Sequence, residues 1–235
     1  MPSKNKDNIS GKVISEEEFM KALNALYGKA LDGIPKVSRP LEDTVNDYLK
    51  KHHNKKEAAK SFINWQIAKC TTSGFLTSLG GLITLPVAIP ANISSVLYVQ
   101  LRMVAGIALM GGYDIKSDQV QTFVYVCLTG QGAKDILKNF GIKFGEKLAV
   151  SQIKKIPGAV LVKINQAVGF RFITKFGEKG LINLGKMVPL VGGIIGGAFD
   201  LGSTKVIADS AEKLFLTGKQ TSRVDIPDDE IIDID

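Results

Sequence analysis

The chain has 235 residues, of which 45% are apolar, and a formal net charge of +7. This length and composition allow a substantial hydrophobic core and exclude an extended, disordered chain. The charge is uneven, because residues 222–235 carry a net charge of −5 and leave +12 for the part before them. A body this basic attracts anionic surfaces, either nucleic acid or lipid headgroups, although a solvated surface that maintains solubility has the same composition.

Capping and stop signals predict three amphipathic helices in the first part of the chain. Ser15, followed three residues later by Glu18, is a capping-box pattern that opens the first helix. The third helix carries a set of mostly apolar residues at helical spacing: Phe62, Trp65, Gln66 and Cys70. The predicted limits are residues 16–31 for the first helix, a start at Pro40 for the second, and Asn54 to Ser73 for the third.

An apolar segment of 44 residues, from Cys70 to Tyr113, has Arg102 as its only charged side chain. Pro86 and Pro90 divide this segment, because proline lacks the backbone donor that a helix interior needs. We therefore expect a helical hairpin whose second arm occupies residues 90–111. The prolines and the central arginine argue against an uninterrupted membrane span, and runs of this kind are more commonly buried core helices. The sequence leaves open whether the protein's own helices or lipid cover the apolar surface.

The rest of the chain also shows helical periodicity. The stretch "FVYVCL" is expected within a helix near residues 118–129, and an amphipathic stretch with a basic face follows it. Proline opens a further apolar helix at residues 157–168, and basic and aromatic residues continue over 170–185. A second apolar core at 189–200 is a weak pseudo-repeat of the first, because in both a proline is followed by small residues and a long helix.

These patterns predict an all-α fold, namely a multi-helix bundle with two apolar helical hairpins interrupted by glycine and proline. The expected organisation is a flexible N-terminus at residues 1–14, a single helical domain at 15–218, and an acidic disordered tail at 219–235.

Seven polar residues in or beside the apolar segments are candidate ligand contacts or buried polar groups: Asn92, Tyr98, Gln100, Arg102, Asp114, Arg171 and Asp200. Helical geometry places Tyr98 and Arg102 on one face of the second hairpin arm and Gln100 among apolar residues on another. A buried Gln100 needs hydrogen-bond partners, so it is either a satisfied core amide or a ligand contact. Arg102 and Asp200 are the lone charges of the two apolar cores; one hypothesis pairs them, and the alternative turns each to solvent.

Signatures of catalysis and metal binding are not found in the sequence. His52 and His53 are adjacent at a polar helix end, where their side chains would point about 100° apart, and the two cysteines are not spaced like metal ligands. No cofactor and no metal are predicted. Lys50, Lys51, Lys55, Lys56 and Lys60 form a basic cluster without interleaved aromatic residues. We therefore favour lipid headgroups over nucleic acid as the partner of these lysines.

Four stretches in this order resemble the bacterial EcsC family: "SGFLTSLGGLITLPVAIPANISSVLYVQLRMVAGIALMGGYD", "VCLTG", "INQAVGFRFITKFGEKG" and "PLVGGIIGGAFD". The resemblance extends from about Ala22 to Thr217. It implies a cytosolic or membrane-peripheral protein, since the family's namesake is encoded beside an ABC transporter, and it supplies no catalytic residues.

Three hypotheses about function follow from the sequence. The first is a non-enzymatic, cytoplasmic protein that associates peripherally with the inner face of the membrane, through anionic lipid or a membrane transporter. The second is a soluble carrier of a lipid or other apolar ligand, whose polar end meets Gln100, Arg102 or Arg171. The third is a hydrolase that uses Asp114 or Asp200. The sequence makes no prediction of the oligomeric state.

Overall fold

A computed structural model describes residues 14–71, 85, 89, 91–144, 146–176, 193–217 and 219–221. In chain order its elements are α1 (Glu16–Asp32), α2 (Leu41–Lys51), α3 (Lys55–Thr71), α4 (Ala91–Met110), α5 (Asp118–Leu128), α6 (Gly132–Asn139), β1 (Glu146–Leu148), α7 (Val150–Ile153), α8 (Gly158–Phe176), α9 (Gly193–Glu212), a π-helix (Lys213–Thr217) and β2 (Lys219–Thr221). The all-α prediction is confirmed.

The predicted capping box at the start of α1 is present. The Ser15 hydroxyl accepts from the Glu18 N–H at 3.1 Å, and the Glu18 carboxylate accepts from the Ser15 N–H at 3.0 Å. The helix ends at Gly33, whose φ of 85° is easily adopted only by a residue without a side chain. The limits predicted for the first three helices agree with α1, α2 and α3, apart from residues 72 and 73, which lie outside the described residues.

Helix α4 is the centre of the fold and packs against α1, α2, α3, α5 and α9. Over Ile93–Met110 it is long and apolar enough to span a membrane, yet 89% of that stretch is buried inside the protein. No other helix among the described residues meets this test. The expectation of a buried core helix at 90–111 is therefore confirmed, while the bend at Pro86 and Pro90 lies outside the described residues.

A close approach between helices occurs at Gly106 of α4. A Cβ atom added to Gly106 would lie 2.5 Å from the ring of Phe62 on α3 and 3.4 Å from the side chain of Val45 on α2. Real Cβ contacts are not this short, so glycine is required for the three helices to approach this closely.

The second half of the chain departs from its prediction first in the region between α5 and α8. The stretch "FVYVCL" is helical, as expected, and lies buried within α5. The single amphipathic stretch expected after it is instead divided into α6, β1 and α7. Helix α6 ends because Gly141 adopts a φ of 67° and the Ile142 N–H bonds back to the Leu137 carbonyl, which turns the chain out of the helix.

Helix α8 is continuous across the two segments that the sequence separates at residue 169. Strands β1 and β2 pair in parallel, with Glu146 opposite Lys219, so the segment expected as an acidic tail begins with three residues of strand. The second apolar core before residue 193 and the tail beyond Thr221 lie outside the described residues.

Candidate functional site

Arg102 is a buried arginine that connects three parts of the fold. Only 2% of the residue is exposed. Its Nη1 donates to the Ala30 carbonyl at 2.8 Å, and its Nη2 donates to the Arg39 carbonyl at 3.0 Å and to the Thr44 hydroxyl at 3.3 Å. Because Ala30 lies in the last turn of α1, the guanidinium also faces the negative end of that helix dipole.

Tyr98 lies one turn before Arg102 on α4 and shares its surroundings. The Tyr98 ring centroid is 5.9 Å from the guanidinium carbon, and the Tyr98 hydroxyl is hydrogen-bonded to Ser38. Burial lowers the pKa of Arg102, but an arginine remains charged at physiological pH. The structure thus brings Tyr98 and Arg102 together, as helical geometry predicted.

Two other predicted site residues cannot be placed beside Arg102. The side chains of Asn92 and Asp200 lie outside the described part of the chain. The hydrogen bonds of Arg102 go to Ala30, Arg39 and Thr44, so its pairing with Asp200 stays a prediction.

A basic groove of about 710 Å³ opens beside Arg102, between the connection at residues 33–40, α2, α3 and α4. Its cations are Lys36, Arg39, Lys69 and Arg102, and its aromatic residues are Tyr48 and Trp65. None of the described residues that line it is acidic. Asp47 lies next to the groove and forms an exposed ion pair with Arg39, so it offsets one of the four charges.

Lys69 and Trp65 form the α3 side of the basic groove. The Lys69 Nζ lies 5.5 Å from the Trp65 ring centroid, a cation–π contact. Burial, reinforced by the nearby charge of Arg102, lowers the pKa of Lys69 to about 8. Trp65 is 53% exposed, whereas Phe62, Gln66 and Cys70, which the sequence pattern groups with it, are buried. The tryptophan is thus at the groove rather than in the core.

Lys36 approaches the groove from a tight turn. Pro35 and Lys36 occupy the centre of this turn, which the Val37 N–H closes by bonding to the Ile34 carbonyl at 3.0 Å. Lys36 has a φ of 66°, the one positive φ among the described non-glycine residues. Glycine or asparagine is the usual residue in this conformation, so the turn carries backbone strain to present a lysine here.

The five lysines of the predicted basic cluster are all exposed, but they do not form one surface. Lys51 lies about 20° around α2 from Thr44 and about 60° from Tyr48, on the groove side. Lys50 and Lys51 are close enough to Asp47 to lower its pKa together with Arg39.

Lys56 and Lys60 lie on a different edge of α3. Both lie near Glu212 of α9. Burial raises the pKa of Glu212, and the positive charges of these two lysines make that increase smaller. Around α3, Lys60 is about 180° from Lys69. The structure therefore divides the cluster. Lys51 lies on the groove side of α2, and Lys50 lies about 100° around the helix from it, near Asp47. Lys56 and Lys60 lie away from the groove, and Lys55 lies exposed at the first position of α3.

Gln100 and Asp114 have structural partners. The buried Gln100 donates through Nε2 to the Thr204 hydroxyl at 3.0 Å, which connects α4 to α9. Asp114 is exposed, and its carboxylate accepts from the Lys116 N–H at 3.0 Å in the turn before α5. Of the two alternatives for Gln100, the structure favours the satisfied core amide.

Arg171 lies at a second cavity, of about 950 Å³, between α6, α8, α9 and the turn after α5. Its Nη2 is 3.3 Å from the Asp135 carboxylate, and both side chains are exposed. Much of the remaining lining is apolar, including Ile136, Phe170 and Ile207. Gln100 and Arg102 do not line this cavity, so the three residues proposed to meet a ligand's polar end are not gathered at one place.

Among the described residues, no group of three or more histidine, cysteine, aspartate or glutamate side chains is arranged to hold a metal ion. The features above define an all-α protein with a central buried helix and a basic groove at a buried arginine. The chain belongs to the EcsC protein family, whose model matches residues 12–217. The resemblance seen in the sequence is thereby confirmed. Comparison with curated proteins and with solved structures finds no match.

Proposed function

We propose that the protein binds peripherally to an anionic membrane surface through a basic face formed by Lys36, Arg39, Lys50, Lys51, Lys69 and Trp65. The observation that carries the proposal is that Lys36, Arg39 and Lys69 line one groove together with the half-exposed Trp65. Lys50 and Lys51 on α2 lie near Asp47, which pairs with Arg39 beside this groove. Tryptophan prefers the boundary between water and hydrocarbon, because its ring is apolar and its N–H is polar.

The expected strength of this association is modest. A lysine or arginine near an anionic membrane contributes about 1 kcal/mol, and this attraction falls off within about 8–10 Å at physiological salt. A few cations and one tryptophan therefore give reversible binding that salt weakens. A protein with these properties would lie on the cytoplasmic face, where a membrane transporter is a further candidate partner.

Vesicle flotation of the full chain tests the proposal with matched variants. Wild-type protein should float with vesicles of phosphatidylglycerol and phosphatidylcholine at low salt, and should not float with phosphatidylcholine alone. The double variant Lys50→Gln, Lys51→Gln should lower the affinity roughly tenfold or more, because two charges leave the basic face.

The control removes the same charge from the opposite edge of α3. Lys56→Gln, Lys60→Gln should float nearly as well as the wild type, because these lysines lie away from the groove and beside Glu212. Equal loss in both double variants would mean that net charge, rather than the basic face, determines binding. Failure of the wild type to float with anionic vesicles would refute membrane association.

A second candidate function is a carrier of a fatty acid or similar chain. The cavity of about 950 Å³ supports it, because this volume fits a ligand of that size and Arg171 at its edge would attract a carboxylate. Native mass spectrometry of the purified protein should then show a bound acyl species. Arg171→Gln should reduce the bound fraction, whereas Lys205→Gln, an exposed change on α9, should not. A mass spectrum of ligand-free protein alone would count against a carrier.

A further inference from the structure

The basic groove beside Arg102 has the character of a site for one small, highly charged anion. Four cations converge on it from the 33–40 connection, α3 and α4, and no described acid lines it. Asp47 beside the groove pairs with Arg39, so Lys36, Lys69 and Arg102 remain as the charges that it does not offset. Surface lysines on a solvated face usually spread apart, because like charges repel. Here Lys69 and Arg102 are close enough for the arginine's charge to lower the lysine's pKa.

The buried arginine has unused hydrogen-bonding capacity. An arginine has five N–H donors, and Arg102 makes three hydrogen bonds through its two Nη atoms. Its Nε is buried and has no acceptor in the described structure. An unpaired buried donor costs about 1–3 kcal/mol, so Arg102 keeps a polar group that its described contacts leave unsatisfied.

Lys36 gives a second, independent indication. Its φ of 66° is a conformation that a lysine adopts only at a cost in free energy, yet the turn places a cation there beside the groove. Strain of this kind is concentrated at sites where the side chain is needed.

We propose that the basic groove binds a phosphate monoester dianion, with Arg102 and Lys69 at its base and Lys36 and Arg39 at its rim. A dianion suits the site better than a carboxylate, because several cations that repel one another need more than a single negative charge to offset them. The groove's volume of about 710 Å³ exceeds that of a phosphate group, so the rest of the ligand would lie against Trp65 and Tyr48. The phosphate could belong to a soluble ester or to a lipid headgroup such as that of phosphatidic acid.

The protein contains its own reporter for this site. Trp65 is the only tryptophan of the chain and lines the groove, so the intrinsic tryptophan fluorescence of the full chain reports on the groove alone. Titration with inorganic phosphate, against chloride at equal ionic strength, should give a saturable change with phosphate only. Lys36→Gln and Lys69→Gln should each weaken phosphate binding about tenfold, because each removes a charge-assisted hydrogen bond.

Lys60→Gln is the matched control, because it removes one charge from the same helix as Lys69, about 180° away. It should leave the phosphate affinity within about twofold of the wild type. Lys69 contacts the Trp65 ring, so Lys69→Gln changes the surroundings of the fluorophore as well as the charge of the groove. Lys36→Gln removes a groove charge without removing this contact. Absence of a saturable response in the wild type, or equal weakening by Lys36→Gln, Lys69→Gln and Lys60→Gln, would overturn the proposal.

Vesicles distinguish the two sources of the phosphate. If the natural ligand is a lipid, vesicles with phosphatidic acid should bind more tightly than vesicles with phosphatidylglycerol at equal surface potential, and Lys69→Gln should abolish the difference. If the ligand is a soluble ester, inorganic phosphate should still bind while the two kinds of vesicle bind equally. The soluble titration does not require a membrane, so the phosphate site can succeed or fail independently of the membrane association proposed above.

Discussion

The Nη1 of Arg102 donates a 2.8 Å hydrogen bond to the carbonyl oxygen of Ala30, at the C-terminal end of α1. The same guanidinium lines the basic groove. Arg102 therefore holds the wall of the candidate site in place and contributes a charge to that site, so its substitution affects stability as well as binding.

Replacement of Arg102 by methionine should lower the free energy of unfolding by about 2 kcal/mol or more, because the carbonyls of Ala30 and Arg39 lose a buried donor. Arg102→Lys should recover part of this loss, since an ammonium group reaches fewer acceptors than the planar guanidinium. Urea unfolding measures both variants. Arg39→Gln is the control: its side chain is exposed, its carbonyl is kept, and we expect little change. Wild-type stability of Arg102→Met would contradict the structural role.

Gly106→Ala should destabilise the protein by about 1–3 kcal/mol, because the added methyl group would overlap the buried ring of Phe62. Gly28→Ala in α1 is the matched control, since no atom lies within 4 Å of the Cβ position there. That variant should gain about 0.5–1 kcal/mol from the higher helix propensity of alanine. Thermal unfolding should move the two midpoints in opposite directions, and a shift in the same direction would refute close packing at Gly106.

Lys69 should make stability and anion binding depend on pH near 8. Burial and Arg102 lower its pKa from 10.5 to about 8, so between these values the unfolded chain binds more protons at this residue than the folded protein. The contribution of Lys69 to stability therefore increases as the pH rises from about 8 to 10.5. The described groups that act on it include Arg102, which stays charged, Cys70 and the Trp65 ring.

Binding of a non-titrating dianion should show the opposite trend, because Lys69 loses its charge as the pH rises through about 8. Sulfate is a suitable probe, since its own charge is constant in this range. The affinity of the wild type for sulfate should fall between pH 7 and 9, and that of Lys69→Gln should change much less. Parallel pH profiles for the two proteins would exclude Lys69 as the titrating group.

Lys36→Gly should separate stability from binding. Glycine adopts the φ of 66° without strain, so the variant should be more stable by about 1 kcal/mol while binding phosphate more weakly. Urea unfolding and Trp65 fluorescence measure the two effects. Lys36→Asn keeps the left-handed conformation accessible and serves as a second uncharged variant. A loss of stability in both variants would show that the Lys36 side chain supports the turn.

Local signals in the sequence were sufficient to predict most of the helices. Ser15 and Glu18 are three residues apart and contact each other directly, so these two residues were enough to predict the start of α1. Tyr98 and Arg102 are one turn apart on one helix, and helical geometry alone placed them on the same face. The division of residues 130–155 was missed because it depends on Gly141 and on β2, which is distant in the sequence.

The basic groove could not be predicted from the sequence, because its residues come from separate elements. Lys36 lies in a turn, Lys69 near the end of α3 and Arg102 in the middle of α4, and no periodicity links them. The lysine cluster was predicted as one surface because its residues are close in the sequence, and the structure separates them. Lys51 and Lys60 are near neighbours in the sequence, but they lie on different helices and beside different acids, Asp47 and Glu212. A lysine inside an otherwise apolar helix end, as at Lys69, was the one available signal.

The parallel pairing of β1 with β2 determines when the fold can be completed during synthesis. β1 emerges from the ribosome before α8 and α9, and its partner emerges only after both. Until then the backbone of Glu146–Leu148 lacks this partner strand and is open to pairing with another chain. Pairing with Lys219–Thr221 therefore covers the exposed edge of β1 once synthesis is complete. A chain truncated before residue 219 would leave this edge exposed and more prone to aggregation.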